Sequence, residues 1–105
     1  MSYEVEYTRN ALREIEQTYR WIKERGVLTA ERWRNELITS VETLAVDPLR
    51  HRLAPESVRF TREIRQMLFR KRRGQFRLLF TREDKRVIIL SFRHHSRKPL
   101  SGDEF

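Results

Sequence analysis

The sequence predicts an α+β protein of order β-α-α-β-β-β, with a helical hairpin packed on one face of a mostly antiparallel sheet. Two observations and a packing argument predict it. Apolar residues recur at helical spacing over two stretches, Leu12 to Ile22 and Ala30 to Leu44, joined by the short link Gly26 to Leu28. Three later stretches, Ile64 to Phe69, Gln75 to Thr81 and Arg86 to Arg93, are short, rich in aliphatic and aromatic residues and separated by polar turns. Two amphipathic helices beside such a sheet have to hide their stripes on one of its faces, because only that layering buries both.

The chain opens on a strand. Tyr3, Val5 and Tyr7 alternate with Glu4 and Glu6, the period of a half-buried strand. Thr8 or Asn10 can cap the helix that follows, whose stripe is Leu12, Ile15, Tyr19 and Ile22 and whose wet side holds Arg13, Glu14, Glu16 and Arg20. Gly26 is expected to close it with a positive φ. Thr29 starts the second helix, with Ala30, Trp33, Leu37, Val41 and Leu44 at helical spacing, and Asp47-Pro48 stops it. Each helix runs about five turns. Residues 48–60 show no period and read as a loop, in which His51 is a surface residue with no second ligand at a useful spacing.

The organising stretch is Arg62 to Thr81. Arg70-Lys71-Arg72-Arg73-Gly74 reads as the turn of a β-hairpin, its tip carrying four adjacent cations and its glycine in a left-handed position. Folding gives no reason to gather like charges, so the tip reads either as a solvated turn kept soluble by its charge or, more sharply, as a docking surface for something strongly negative. A second turn, Arg82 to Lys85, leads to the last strand. Phe76, Leu78, Phe80, Ile88, Leu90 and Phe92 are expected to face the helices. The opposite face then shows Arg77, Leu79, Val87, Ile89 and Arg93, an open apolar surface that needs a partner to cover it.

Composition bounds the rest. With 105 residues the chain makes one domain, expected over 1–100, with a short acidic tail at 101–105. A net charge of +8 favours a polyanionic or acidic partner. The absence of cysteine excludes a disulfide framework and a cysteine metal site. No apolar run is long enough to span a membrane and the start does not read as a signal peptide, so a cytoplasmic protein without a membrane partner is expected. No metal site and no cofactor is expected, since neither a ligand cluster nor a phosphate-binding glycine loop is present.

Catalysis, if any, has to use cations and histidine. Arg65, Arg77, Arg93 and Arg97 lie on or after the last three strands, and His94 and His95 follow the final one. Such a set can cleave RNA, a histidine moving protons while arginines stabilise charge on phosphorus. Arginines on an exposed face also bind phosphate with no chemistry. Adjacent histidines at a strand end point in opposite directions, so one at most serves a given site.

Five pieces in this order resemble the RelE/ParE superfamily of toxins from type II toxin–antitoxin systems. They are Tyr3 to Thr8, Ala11 to Ile22, Leu44 to Pro48, Gly74 to Phe80, and Val87 to His94. The resemblance covers almost the whole chain and implies a cognate antitoxin as partner. Relatives of the RelE kind cut messenger RNA on the ribosome. For them the implied catalytic residues here are Arg65, Arg77, His94, His95 and Arg97, although Arg65 and Met67 stand where a lysine pair is expected. Relatives of the ParE kind poison DNA gyrase. The long helical hairpin, and Leu90 to His94 before a basic tail, are closer to these. The target would then be met by Arg70, Lys71, Arg72, Arg73, Arg93, Arg97 and Lys98. An antitoxin is expected over Leu79, Val87 and Ile89, with acidic groups reaching Arg77. A basic nucleic-acid-binding module without toxicity is the third reading.

Overall fold

The structure is a computed structural model that describes residues 2–71 and 74–94, and of Arg70, Lys71, Gly74 and Gln75 only the backbone. The order is β1 (Glu4–Tyr7), α1 (Arg9–Lys23), α2 (Val27–Glu42), a short α3 (Glu56–Arg59), β2 (Ile64–Lys71), β3 (Gly74–Glu83) and β4 (Arg86–His94). Three-residue 3₁₀ turns at Thr43–Ala45 and Pro48–Arg50 carry the chain from α2 towards α3. The four strands stand in the order β1-β4-β3-β2, with β1 parallel to β4 and the other pairs antiparallel. This is the α+β architecture expected, its helical hairpin on one face of a mixed sheet.

Thr8 caps α1, its hydroxyl accepting from the Ala11 N–H at 3.1 Å. Tyr19, Ile15 and Ile22 of the expected α1 stripe pack on the core, and the departure is at its first position. Ala11 is fully buried where Leu12 was placed, and Leu12 is exposed. A methyl in that position lets the helix approach the sheet closely. Gly26 does not take positive φ: at φ 166° it is extended and begins α2. Its N–H still terminates α1, donating to the carbonyls of Ile22 and Lys23. A Cβ there would meet Thr29 Oγ1 at 3.3 Å, a close contact that requires the Thr29 side chain to shift by a few tenths of an ångström.

The stripe of α2 is as read: Ala30, Trp33, Leu37 and Val41, with Leu44 just beyond it, are all buried. The two helices are tied by polar contacts over an apolar seam. The Tyr19 hydroxyl donates to Glu31, Arg34 donates to Glu16 at 3.1 Å, and the Arg34 guanidinium lies 3.6 Å over the Tyr19 ring. Trp33 is the hub of the layer below, meeting Phe69, Phe76 and Phe92 edge-on at 5.8–6.5 Å, a geometry that aromatic quadrupoles favour.

The phase of β4 departs from the expected alternation. Leu79 pairs with Ser91 and Phe80 with Ile89, so Leu90 is an extra residue, a β-bulge. Val87 and Ile89 therefore join Phe92, Leu78 and Phe80 in the core under the helices, and Ile88 and Leu90 point to the other side. The first turn of α1 plugs the bulge. Thr8 Oγ1 donates to the Ile89 carbonyl at 3.0 Å and Asn10 Nδ2 to the Leu90 carbonyl at 3.1 Å. Glu14, expected on the wet side, accepts from Ser91 Oγ at 2.7 Å and from the Phe92 N–H at 3.1 Å.

The second sheet face is not open. Residues 52–63 lap the edge of β2 and fold over that face. Gln66 N–H donates to the Arg52 carbonyl at 3.0 Å, Ala54 N–H to the Ile64 carbonyl at 2.8 Å, and Leu53 bridges Arg65. Ala54 and Phe60 then pack on Ile64, Leu79, Ile88 and Leu90 as a second small core. The expected open surface of Leu79, Val87 and Ile89 is corrected accordingly, since all three are fully buried. The stretch read as a plain loop is the lid of this second core.

At the hairpin Lys71 pairs with Gly74, so Gly74 belongs to β3, and Arg72 and Arg73 lie outside the described residues. The second turn is tighter than expected. Glu83 pairs with Arg86, and Asp84 takes φ 57°, which its short polar side chain tolerates.

Candidate functional site

The most heavily charged constellation in the described interior lies on the second sheet face. Arg77 in β3 gives two parallel bonds to Glu56 in α3, Nη1 to Oε1 at 3.1 Å and Nη2 to Oε2 at 2.7 Å. Nη1 also reaches the Gln66 side-chain oxygen in β2 at 2.9 Å. The Arg77 side chain is 6% exposed and that of Glu56 is 0%. Two ions taken out of water at this depth hold together only with such forked geometry. Arg93, the register partner of Arg77 in β4, is buried beside it at 4% exposure.

This burial changes what the arginines can do. The guanidinium of Arg77 spends its charge on Glu56 and is sealed from solvent, so it offers little to a phosphate arriving from outside. Arg93, expected to meet the target, does not stand on the surface. Glu56 is the functional neighbour that sequence reasoning missed. Its signal is that it is the lone carboxylate among four arginines between Pro48 and Arg62.

The residues expected to cleave RNA do not converge. Arg65 shares the phase of Met67 and Phe69 on β2, facing the helix side, whereas Arg77 shares the face of Gln66. Arg65 is also engaged, donating to Glu63 at 2.9 Å and to the His51 carbonyl at 2.6 Å. His94 pairs with Phe76 and meets its ring edge-on at 5.5 Å, again on the helix side, so it points away from Arg77. His95, Arg97 and Lys98, and Arg72 and Arg73 at the tip, lie outside the described residues, as do the side chains of Arg70 and Lys71. His51, read as a surface residue, is half-buried with its ring edge-on to Phe80 at 5.8 Å. Burial lowers its pKa, the Arg50 charge adds to the effect, and Asp47 opposes it.

A groove of about 800 Å³ runs between the outer side of α2 and the edge strand β2. Leu28, Arg32, Glu36 and Thr39 line one wall, and Leu68 and Phe69 the other. Leu28 is 79% exposed and Leu68 44%. Ala54 and Arg52 cover the β2 backbone at Ile64 and Gln66, and among the described residues the edge beside the groove carries no such cover at Leu68.

The fold has a solved counterpart. A structure titled "Chromosomal ParDE TA system from P. aeruginosa" superposes with a TM-score of 0.68 at 16% identity, covering 89% of this chain and 96% of that one. No curated protein matches the sequence. The model of one family, described as ParE toxin of type II toxin–antitoxin system, parDE, matches residues 5–99. That span runs from β1 past the end of β4 and takes in the helical hairpin, the lid and both edges of the sheet. The chain belongs to the ParE toxin family of type II toxin–antitoxin systems.

Proposed function

We propose that this ParE-family chain arrests growth by inhibiting DNA gyrase, without cutting RNA, and that a cognate antitoxin neutralises it. The observation that carries the proposal is the Arg77–Glu56 pair. The arginine that would serve a ribonuclease is buried, neutralised and turned to the face opposite His94. A protein that acts by occupying a surface needs no such set. The cations for that surface are those of the hairpin tip, Arg70 to Arg73, followed by Arg97 and Lys98 in the tail. Its target and its antitoxin place the action in the cytoplasm.

The antitoxin is assigned to the groove between α2 and β2 rather than to Leu79, Val87 and Ile89, which are buried. Leu28 and Leu68 supply exposed apolar contacts there, and Arg32 a cation for an acidic segment. Leu68→Asp is expected to release a co-expressed antitoxin in a pull-down while the free toxin keeps its thermal midpoint. An unchanged complex would move the contact elsewhere.

The deciding experiment adds the purified chain to gyrase and relaxed plasmid, and in parallel induces it in cells whose messages are mapped. Blocked supercoiling beside intact messages is the expected outcome. Messages cut in step with translation, with supercoiling unaffected, would overturn the gyrase reading in favour of a ribosome-dependent ribonuclease.

A further inference from the structure

The charge of this chain is divided between its layers. Residues 9–47, which hold both long helices, carry seven cations and seven anions. Residues 48–94, which hold the lid and β2 to β4, carry fourteen cations and four anions. The whole positive excess therefore belongs to the lid-and-sheet half, behind a helical layer that is neutral.

Three of the four acids of that half are already committed, the fourth being Asp84 in the turn between β3 and β4. Glu56 is buried on Arg77, Glu63 pairs with Arg65, and Glu83 is shared between Arg62 and Arg86 at 3.0 and 3.3 Å. Arg50 and Arg52 are exposed at the point where the lid laps the edge of β2, and among the described residues no carboxylate is paired with either. The backbone that carries them is fixed. Arg50 ends a 3₁₀ turn that starts from buried Pro48, the His51 carbonyl accepts from Arg65, and the Arg52 carbonyl accepts from Gln66. Two arginines are thus held outward on an ordered segment next to Arg65.

Arginine suits phosphate, because its planar fork presents paired donors. A positive surface without base-reading side chains binds a nucleic-acid backbone irrespective of sequence. The absence of aromatic platforms narrows the choice. Binding of single strands relies on exposed rings for base stacking. On the described lid the exposed large apolar residues are Leu49, Leu53 and Val58, all aliphatic. Exposed Trp21 belongs to α1.

We propose that the lid, through Arg50 and Arg52, is a docking surface for the phosphate backbone of duplex DNA. It is separate from the hairpin tip and independent of whether gyrase is the target. A toxin bearing it would hold DNA directly in any complex it enters.

The test is fluorescence anisotropy of the full chain with a labelled random-sequence DNA duplex across a salt series. Arg50→Glu/Arg52→Glu is expected to weaken binding by about tenfold or more and to lower the slope of log affinity against log salt by about two. Arg9→Glu/Arg13→Glu, the same change of charge on exposed positions of α1, is expected to shift affinity by less than about threefold. Arg50→Gln/Arg52→Gln should give a smaller loss in the same direction and serves if the reversed variant does not fold. Equal losses for the lid and helix variants would reduce the effect to net charge and overturn the proposal. So would an unchanged affinity of the lid variant, or a tenfold preference for single-stranded RNA of equal length.

Discussion

At Arg77 the chain buries a cation whose partner comes from a four-residue helix, and the cost of breaking that pair is asymmetric. Glu56→Ala leaves a guanidinium in the interior without its counter-ion and is expected to lower stability by about 3–5 kcal/mol in urea melts. Glu56→Leu with Arg77→Met removes both charges and is expected to recover most of that loss, because apolar groups of similar volume often replace a buried pair without penalty. His51 gives a pH signature. Burial and Arg50 hold its pKa below the ordinary 6.5. The folded state therefore binds fewer protons than the unfolded one in the window beneath 6.5. The stabilisation is complete above that value and is lost as pH falls towards the lowered pKa. Denaturation midpoints measured from about pH 8 down to about pH 5 should decline, and His51→Gln should flatten that decline. A parallel decline in the variant would assign it to other groups.

Among the elements, α2 was legible and β4 was not, for different physical reasons. The stripe of α2 sets large residues, Trp33 and Leu37, against charged neighbours, so its period is unambiguous. Leu37 is 3% exposed between helix and sheet, and Leu37→Ala is expected to cost about 2–5 kcal/mol, read as a shift in urea midpoint at unchanged slope. A loss below about half a kcal/mol would mean that the site collapses around the smaller side chain. In β4, by contrast, Val87, Ile88, Ile89 and Leu90 are all aliphatic, so both phases look equally apolar. One inserted residue then exchanges the faces without leaving a mark in the composition. The plug that fixes the bulge comes from Asn10 and Glu14, some eighty residues earlier, where no local pattern announces it. The lid was hidden similarly. Its order rests on Ala54, Phe60 and Glu56 meeting partners on three strands, while its own sequence has no period. Of the expected site residues, the arginines were found by type, but the sides they face depended on pairing register.

Across the molecule, uneven charge has a stability consequence. Fourteen cations within residues 48–94 repel one another in the folded state, held closer together than in an extended chain. Added salt screens that repulsion, the Debye length falling from about 10 Å at 0.1 M to about 3 Å at 1 M. The thermal midpoint is therefore expected to rise with sodium chloride over that range. A fall would show that the surface pairs, such as Arg62–Glu83 and Arg86–Glu6, contribute more than the repulsion costs.

The parallel pairing of β1 with β4 sets an order on vectorial synthesis. Glu4 to Tyr7 emerge well before β4, yet their register partners are Arg86 to Ile89. At roughly 5–20 residues per second, a ribosome leaves the first strand without its neighbour for roughly 4–16 s. During that interval the helical hairpin can form from local contacts, but the sheet cannot close and the α1 cap has no bulge to fill. The nascent chain thus has no finished toxin surface until its last strand has been made. A partner already present in the cell has those seconds in which to meet an incomplete molecule.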